Sequence, residues 1–461
     1  MHFTRRLLDP HRSGLIVTLS VLAASAAAVS CSSSEEPGAS RVADAGLDTA
    51  DSGADGAEAT DAAPDSSVRD AGSFDGKPLP VVCGSSPCAT ALVTTLGKSV
   101  EDKGEGFCAL LDDGTVACWG ANGAGQLGRG EAEGEALVDS SKAARVVGLS
   151  NITSLDHTCA VDTSGSVWCW GTGPFSWSED GGVVSATHTS PVKLDLPPVT
   201  KVARSFATAC AVVGGGDVQC WGSNALGQLA PLTEASSGEP KRAALPQGAL
   251  ASALEVGNAT FVLRADGSVV SWGGNPGIGR VSPSFPDPLP QVVSLAKVTQ
   301  IDSAYDNTCA VANGIGYCWG ARILLTKGTV LERALPEAVG TPERLVQIAT
   351  TRSESASVFP EVRELKPFRW CAVGQSGNVY CWGFNESGQA GSGTQEYVPR
   401  AVRAFDLPEG TAVAQVKTTV NTTCALLTNG KVFCWGSNFN GQLGNGLNRG
   451  KSLAPAEVVL P

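Results

Sequence analysis

The stretch FCALLDDGTVACWG, residues 107–120, decides the fold, because it has the pattern of a β-hairpin and returns six more times along the chain. Two runs of apolar and β-branched residues flank a turn that ends in Gly114, which is typical of a hairpin. If Cys108 lies opposite Cys118, a three-residue loop remains, with glycine at the position that needs a left-handed conformation. The two cysteines then face each other closely enough for a disulfide.

The other copies support this pairing. In one of them the cysteines stand one residue closer together, and the turn becomes Asn313-Gly314, a preferred two-residue hairpin turn that keeps them opposite each other. In the fourth copy both cysteines are replaced together, by Phe261 and Ser271. Because the cysteines are present or absent as pairs, we predict six disulfides within hairpins: Cys108–Cys118, Cys159–Cys169, Cys210–Cys220, Cys309–Cys318, Cys371–Cys381 and Cys424–Cys434.

The first 31 residues have the pattern of an export signal. Three arginines precede an apolar run from Leu15 to Val29, which is short for a membrane span. The run ends Ala28-Val29-Ser30-Cys31, which resembles the bacterial lipobox, in which the cysteine is lipidated and begins the mature chain. We therefore predict an exported bacterial lipoprotein, lipid-anchored through Cys31 in the cell envelope, at the outer membrane or the surface. The alternative is an ordinary cleaved signal that removes Cys31.

Residues 32–77 form the next segment, which is rich in Ala, Ser, Asp and Gly and carries much of the chain's formal charge of −12. It contains too few large apolar residues to bury a core, so we predict a disordered acidic linker. The 15 cysteines suit an oxidising compartment. The pair Cys83–Cys88 is expected to close a small disulfide loop ahead of the repeats, and a metal site there is disfavoured because no second pair with ligand spacing follows.

Residues 78–461 contain the repeats. A tryptophan closes each hairpin, and the tryptophans recur about every fifty residues, which indicates an all-β fold, a seven-bladed β-propeller in which they pack between blades. The chain ends in residues 455–460, PAEVVL, which match the strand that follows the earlier hairpins. We predict that this C-terminal strand completes the first blade and closes the ring, which would remove an open sheet edge.

The segments after two of these tryptophans, WGANGAGQLG at 119–128 and WGSNFNGQLG at 435–444, resemble the signature of the regulator-of-chromosome-condensation (RCC1) repeat family. The resemblance covers about residues 90–461, with close variants at 221–229 and 382–391. It implies a propeller. The family's best-known activity is guanine-nucleotide exchange on a small GTPase, which an exported, disulfide-rich chain would rarely meet.

No motif for catalysis, metal binding or a cofactor is found in the sequence. The propeller region contains two histidines, and we interpret His157, at a repeat position, as a packing or turn residue. His188 lies in an insertion and is a weak site candidate. The acidic balance makes nucleic acid an unsuitable partner.

Three segments exceed the repeat length, at 172–190, 321–340 and 351–370, and long loops on a rigid scaffold often carry function. The candidate binding residues in or beside them are Trp177, His188, Phe359, Arg363, Lys366, Arg369 and Trp370, with Trp177 and Trp370 proposed as exposed anchors.

The preferred hypothesis is a monomeric, non-catalytic scaffold that binds a protein or another envelope polymer through loops on one face. The alternatives are guanine-nucleotide exchange by family analogy, and a lectin or glycan-active enzyme.

Overall fold

The computed structural model describes residues 74–132, 134–177, 183–230, 234–323, 330–352, 354–358, 362–366, 369–404, 407–408 and 410–461. Only the backbone is described for 176–177, 183–184, 321–323, 330–333, 354–358 and 362–366. The signal peptide, Cys31, residues 32–73 of the linker and Phe359 lie outside the described residues, so what was predicted for them stays a prediction.

Seven antiparallel sheets of four strands form the blades, and each blade takes its strands consecutively along the chain apart from one inserted hairpin. Blades 1 and 2 contain β1 (Ala89–Thr94), β2 (Gly106–Leu111), β3 (Val116–Gly120), β4 (Ser140–Arg145), β5 (Ile152–Asp156), β6 (Cys159–Asp162), β7 (Val167–Trp177) and β8 (Val183–Lys193). Blades 3 and 4 contain β9 (Val199–Arg204), β10 (Thr208–Val213), β11 (Val218–Ser223), β12 (Ser236–Arg242), β13 (Ala251–Val256), β14 (Ala259–Arg264), β15 (Val269–Gly273) and β16 (Asp287–Val292).

The remaining blades follow the same plan. Blade 5 contains β17 (Val298–Ala304), β18 (Asn307–Ala312), β19 (Ile315–Ile323) and β20 (Val330–Val339). Blade 6 contains β21 (Leu345–Thr350), β24 (Arg369–Gly374), β25 (Val379–Gly383) and β26 (Val398–Arg403), with the separate hairpin of β22 (Glu354–Val358) and β23 (Val362–Lys366) inserted. Blade 7 contains β27 (Val413–Thr418), β28 (Thr422–Leu427), β29 (Val432–Ser437) and β30 (Lys451–Glu457), and a single 3-10 turn spans Gly214–Gly216. The predicted all-β, seven-bladed propeller is confirmed.

The hairpin at residues 107–120 has the predicted register, with Cys108 opposite Cys118 and Leu110 opposite Val116. Gly114 has a φ of 74°, and the shortened turn has φ of 51° at Asn313 and 81° at Gly314, the left-handed values that such turns need. The structure joins the six hairpin pairs as disulfides, with Cα separations between 4.0 and 4.1 Å. It also joins Cys83 to Cys88.

The C-terminal strand does not complete the first blade, so the predicted mode of ring closure is wrong. Strand β30 pairs with β29 as the outer strand of blade 7, and blade 1 has four strands of its own. The prediction assigned this strand to the wrong blade. The strand after each Trp-Gly turns back to pair with the strand that carries the tryptophan, as β4 pairs with β3. It therefore ends one blade and does not begin the next.

Side-chain contacts close the ring between blades 7 and 1. The Leu92 amide donates to Gln415 Oε1 at 2.8 Å. The Glu105 carboxylate accepts hydrogen bonds from Thr419 Oγ1 at 2.6 Å and from the Asn421 amide at 2.9 Å. Blade 1 and blade 7 therefore hold each other without exchanging a strand.

A strap of residues 74–88 crosses the same seam. The Val82 amide donates to the Thr428 carbonyl at 2.7 Å, and the Ala89 amide donates to Gly430 at 2.9 Å. Ser86 Oγ donates to the Asp112 carboxylate at 2.8 Å. At the other end of the strap, Phe74 lies under the Arg344 guanidinium at 5.2 Å, so the contact with the propeller begins ahead of the predicted boundary at residue 78.

The hairpin tryptophans lie between blades, as predicted, and six of them are fully buried. Trp170 Nε1 donates to the Gln126 carbonyl of the preceding blade at 2.9 Å, and Trp272 Nε1 donates to Gln228 at 2.6 Å. Trp119 makes the equivalent bond to Gln442 across the seam at 3.0 Å. The glutamine of the Gly-Gln-Leu signature therefore supplies a backbone acceptor to the next blade.

Removal of one buried disulfide tests the bracing of the hairpins. We expect Cys424→Ala with Cys434→Ala to lower the free energy of unfolding by about 2–3 kcal/mol, because an eleven-residue loop of the unfolded chain is released. Chemical unfolding measures this loss. The control is Cys83→Ala with Cys88→Ala, which releases a shorter loop and should cost less; an unchanged midpoint for the Cys424/Cys434 variant would contradict the bracing.

Candidate functional site

The two faces of the propeller follow from strand direction. Consecutive strands are antiparallel, so the first and third strands of a blade end on the same face. We call this the channel face, and we call the opposite one, with the hairpin turns such as that of Gly114, the turn face. Connections between the first and second strands, and between the third and fourth, lie on the channel face.

A cavity of about 1000 Å³, including its open mouth, lies where the first strands of all seven blades end. Each blade contributes lining residues from the last positions of its first strand or from the turn that follows. The cavity therefore lies on the propeller axis and opens on the channel face. Concave sites of this kind are the default place for a ligand.

One repeat position, the residue opposite the first member of each hairpin pair, supplies four of the charged residues that line the cavity. From blade 1 to blade 7 its occupants are Val93, Asp156, Ala203, Glu255, Asp302, Ala349 and Lys417. Three carboxyl groups and one ammonium group therefore share one level of the axis.

Lys417 is the internal cation of this level. Its Nζ lies 2.8 Å from Asp302 Oδ1, with both side chains largely buried. Burial lowers the pKa of Lys417, but Asp302 and Glu255 outweigh that effect and raise it above its usual value. Burial, Asp302 and Asp156 together raise the pKa of Glu255 well above its usual value, so Glu255 holds a proton to higher pH than an exposed glutamate.

All three acids also have a structural role. Asp156 Oδ2 accepts the Arg204 amide of the next blade at 2.9 Å, and Asp302 Oδ2 accepts the Thr350 amide at 2.9 Å. These bonds hold adjacent first strands together. Glu255 makes a similar contact with the backbone of Ser303.

His157 borders the cavity and links blades 2 and 1. Its Nδ1 lies 2.9 Å from the Thr94 carbonyl oxygen, which can only accept, so Nδ1 carries the proton in the neutral ring. The residue has a φ of 46°, which supports its interpretation as a turn residue. Burial lowers the pKa of His157, although nearby Asp156 raises it.

The mouth of the cavity is bordered by residues from four different blades. Arg352 of blade 6 donates from Nη2 to the Asp102 carbonyl of blade 1 at 2.6 Å. Its guanidinium also lies 5.8 Å from the Phe206 ring of blade 3. Tyr305 of blade 5 lines the same cavity.

Two of the predicted binding residues are core residues, so their assignment was wrong. Arg369 has no exposed surface, and its guanidinium donates to the carbonyls of Thr419 and Thr422 in blade 7. Trp370 is only 4% exposed and stacks on Trp382 at 6.0 Å. Both begin strand β24 of blade 6. β24 begins two residues before Cys371, the same offset at which β2, β10, β18 and β28 begin before their cysteines, so counting back from Cys371 would have placed both residues in the strand.

The insertions contain β-ribbons. Strands β7 and β8 extend the outer hairpin of blade 2, β19 and β20 extend that of blade 5, and β22 and β23 pair within the connection from β21 to β24. His188 pairs with Gly171 in the blade 2 ribbon and packs 6.3 Å from Phe175. Trp177, Arg363 and Lys366 lie in these ribbons, but their side chains are outside the described part of the structure.

The charged residues of the axis were missed from the sequence, although a signal for them existed. Counting back from each hairpin cysteine to the preceding strand would have found Asp156, Glu255, Asp302 and Lys417. That count needs the knowledge that the first strands of all blades meet on the axis. In the described residues, no group of three or more His, Cys, Asp or Glu side chains is arranged to hold a metal ion. The described chain also contains no helix of the length and apolarity that a membrane span requires.

The titration of His157 gives a pH prediction. Because its folded pKa is lowered, the unfolded chain takes up this proton more readily, and stability is lost as the pH falls below about 6.5. We expect wild type to lose more stability between pH 7 and pH 5 than His157→Asn, since asparagine tolerates the left-handed conformation and does not titrate. Urea unfolding at both pH values measures this difference; parallel losses would contradict the assignment.

Comparison with known proteins agrees with this architecture. Profiles of the "Regulator of chromosome condensation (RCC1) repeat" match residues 154–175, 376–426, 413–442 and 429–461. The chain is 28% identical over 354 residues to the Ultraviolet-B receptor UVR8 of Arabidopsis thaliana, which covers 73% of this chain and 76% of the receptor.

Two solved structures share the fold. Human WBSCR16 is 17% identical with a TM-score of 0.61, covering 76% of this chain and 94% of that one. Prp20p of Saccharomyces cerevisiae is 18% identical with a TM-score of 0.58, covering 76% and 87%. At residues 154–175 and 376–461 the chain therefore carries regulator of chromosome condensation (RCC1) repeats, built into a seven-bladed propeller.

Proposed function

We propose that this protein is a non-catalytic scaffold of the cell envelope that binds a protein partner through its channel face. One observation carries the proposal: all three insertions leave from this face. They extend the connections from β7 to β8, from β19 to β20 and from β21 to β24, which all lie on the channel face because of the strand directions. The insertions therefore add surface around the mouth of the axial cavity and none to the turn face.

The path of the N-terminal strap also supports the channel face as the binding surface. Residues 74–88 contact the hairpin turns and the connections between blades, as shown by the bonds of Val82 to Thr428 and of Ala89 to Gly430. The strap thus lies on the turn face. A lipid anchor at Cys31 would be joined to the propeller on the side opposite the binding surface.

Similar proteins are consistent with a binding role. Yeast Prp20p, which shares the fold, has binding properties toward Gsp1p and histones. The chain's disulfides and predicted export signal suit a partner in an oxidising compartment. No feature of the described residues favours nucleotide exchange or glycan chemistry over binding.

The proposed anchor has a direct test. We expect metabolic labelling with a fatty acid analogue to mark the wild-type chain, and Cys31→Ala to abolish the label, because the lipid is carried on that sulfur. Gel fluorescence after purification measures both. An unlabelled wild type, or an equally labelled variant, would rule out lipidation at Cys31.

The proposed face is tested by photo-cross-linking in intact cells. The photoreactive residue p-benzoylphenylalanine replaces Phe439, which is 73% exposed in a connection of the channel face. The matched control places it at Leu250, which is 63% exposed on the turn face. We expect a discrete protein adduct from position 439 and at least fivefold less from position 250.

A second variant tests the contribution of the insertions. Deletion of residues 354–366 from the chain that carries the label at position 439 should reduce the adduct at least threefold, because one of the three ribbons is lost. Equal adducts from both faces, or none from position 439, would contradict the proposed binding face.

A further inference from the structure

The axial cavity has an uneven distribution of charge. Asp156, Glu255 and Asp302 lie near the ends of β5, β13 and β17, and all three line the same cavity. One ammonium group, that of Lys417, faces all three and pairs directly with Asp302. The buried Arg204 guanidinium lies near enough to Asp156 to interact with its charge, but its hydrogen bonds go to Thr158 and to the Thr172 carbonyl. Among the described residues, Lys417–Asp302 is the one direct ion pair that involves an acid of this level.

The remaining blades add no charge at the same level. Their equivalent residues, Val93, Ala203 and Ala349, are uncharged and pack among buried apolar side chains. The cavity above them is continuous with the channel face. A side chain from outside can therefore approach the carboxyl groups along the axis.

The wall between the mouth and the acids suits an aliphatic chain that ends in a cation. Phe206 and Tyr305 contribute rings, and Val256 and Val420 contribute apolar surface, to the lining of the cavity. Aromatic faces attract cations, and the methylenes of lysine or arginine pack on apolar surface while the charge reaches further. Arg352, a cation at the mouth, is already directed to the Asp102 carbonyl and the Phe206 ring.

We propose that the axial cavity receives one basic side chain, lysine or arginine, from the bound protein partner. This inference rests on the proposed function, because it assigns the chemistry that the channel face recognises. The cation would lie beside Asp156, Glu255 and Asp302, and Lys417 would keep its bond to Asp302.

Binding of a cation in the cavity would change the protonation of Glu255. The carboxyl of Glu255 interacts with Asp302, Asp156 and Lys417, while His157 and Arg204 line the same cavity, and burial and the two aspartates hold Glu255 protonated to higher pH. A cation placed beside it favours the ionised carboxylate, so Glu255 loses its proton to solvent on binding. Affinity for a cationic ligand should therefore rise with pH, and affinity for a neutral analogue should not.

The test uses the purified full chain and two small probes, acetyl-lysine amide and acetyl-norleucine amide, measured by saturation-transfer NMR between pH 5 and pH 8. The lysine probe should bind at least tenfold more tightly than the norleucine probe at pH 8, with affinity falling toward pH 5. Glu255→Gln, which mimics the protonated acid, should weaken the lysine probe about tenfold and remove its pH dependence. The control Glu239→Gln changes an exposed acid of a surface pair and should leave the affinity unchanged.

A second variant gives an effect of opposite sign. Lys417→Gln removes the internal cation, so the lysine probe should bind more tightly than to wild type. Equal binding of the two probes, an unchanged affinity in Glu255→Gln, or no binding of the lysine probe at pH 8 would each overturn the inference. These measurements need no envelope partner, so they can fail while cross-linking from position 439 succeeds, and the reverse outcome is equally distinguishable.

Discussion

The hydrogen bond from a buried tryptophan to a backbone carbonyl of the preceding blade is the contact on which the ring depends. The described structure shows it in five blades, with acceptors at Gln442, Gln126, Pro174, Gln228 and Gly277. An unpaired buried donor costs about 1–3 kcal/mol, so each of these bonds stabilises the contact between two blades. The buried Trp435 Nε1 has no such partner in the described structure. The bond thus fixes the distance and orientation of neighbouring blades together with the packing of the ring itself.

The RCC1-like signature provides that carbonyl by folding back on itself. In blade 1 the Asn122 Oδ1 accepts the Leu127 amide at 3.1 Å, and Gln126 Oε1 accepts the Ala124 amide at 2.7 Å. These bonds present the Gln126 carbonyl to Trp170. Blades 2 and 4 have lost the signature, yet Pro174 and Gly277 place a carbonyl at the same point. The constraint is therefore on the position of an acceptor, and different loop sequences can satisfy it.

Blade 6 shows how an insertion can be accommodated by the same ring. Its connection from β21 to β24 contains an additional hairpin, and the chain re-enters the blade at Arg369. The guanidinium of Arg369 reaches into blade 7 and bonds to the carbonyls of Thr419 and Thr422. Arg369, which the sequence analysis assigned to a binding loop, is thus a buried contact between blades 6 and 7. Inserted strands leave on the channel face, whereas the strap and the hairpin turns occupy the other face.

The sequence by itself determined the hairpins, the pairing of the cysteines, the number of blades and the burial of the tryptophans. These features depend on contacts within about fifteen residues or on a repeated pattern, and the spacing of residues sets the local strand register. The sequence did not determine whether the strand after each Trp-Gly is the last strand of one blade or the first strand of the next, because both assignments satisfy the same local pattern. Arg369 and Trp370 were misplaced because they adjoin an insertion, although their distance from Cys371 matches that of strand residues in the other blades.

Only the tertiary structure placed Asp156, Glu255, Asp302 and Lys417 on one axis. Each stands in a different repeat, and no local pattern relates a residue in β5 to one in β27. Their proximity arises because a closed ring brings the first strands of all blades to its centre. Charges that are distant and unremarkable along the chain therefore become one electrostatic site only when the propeller closes.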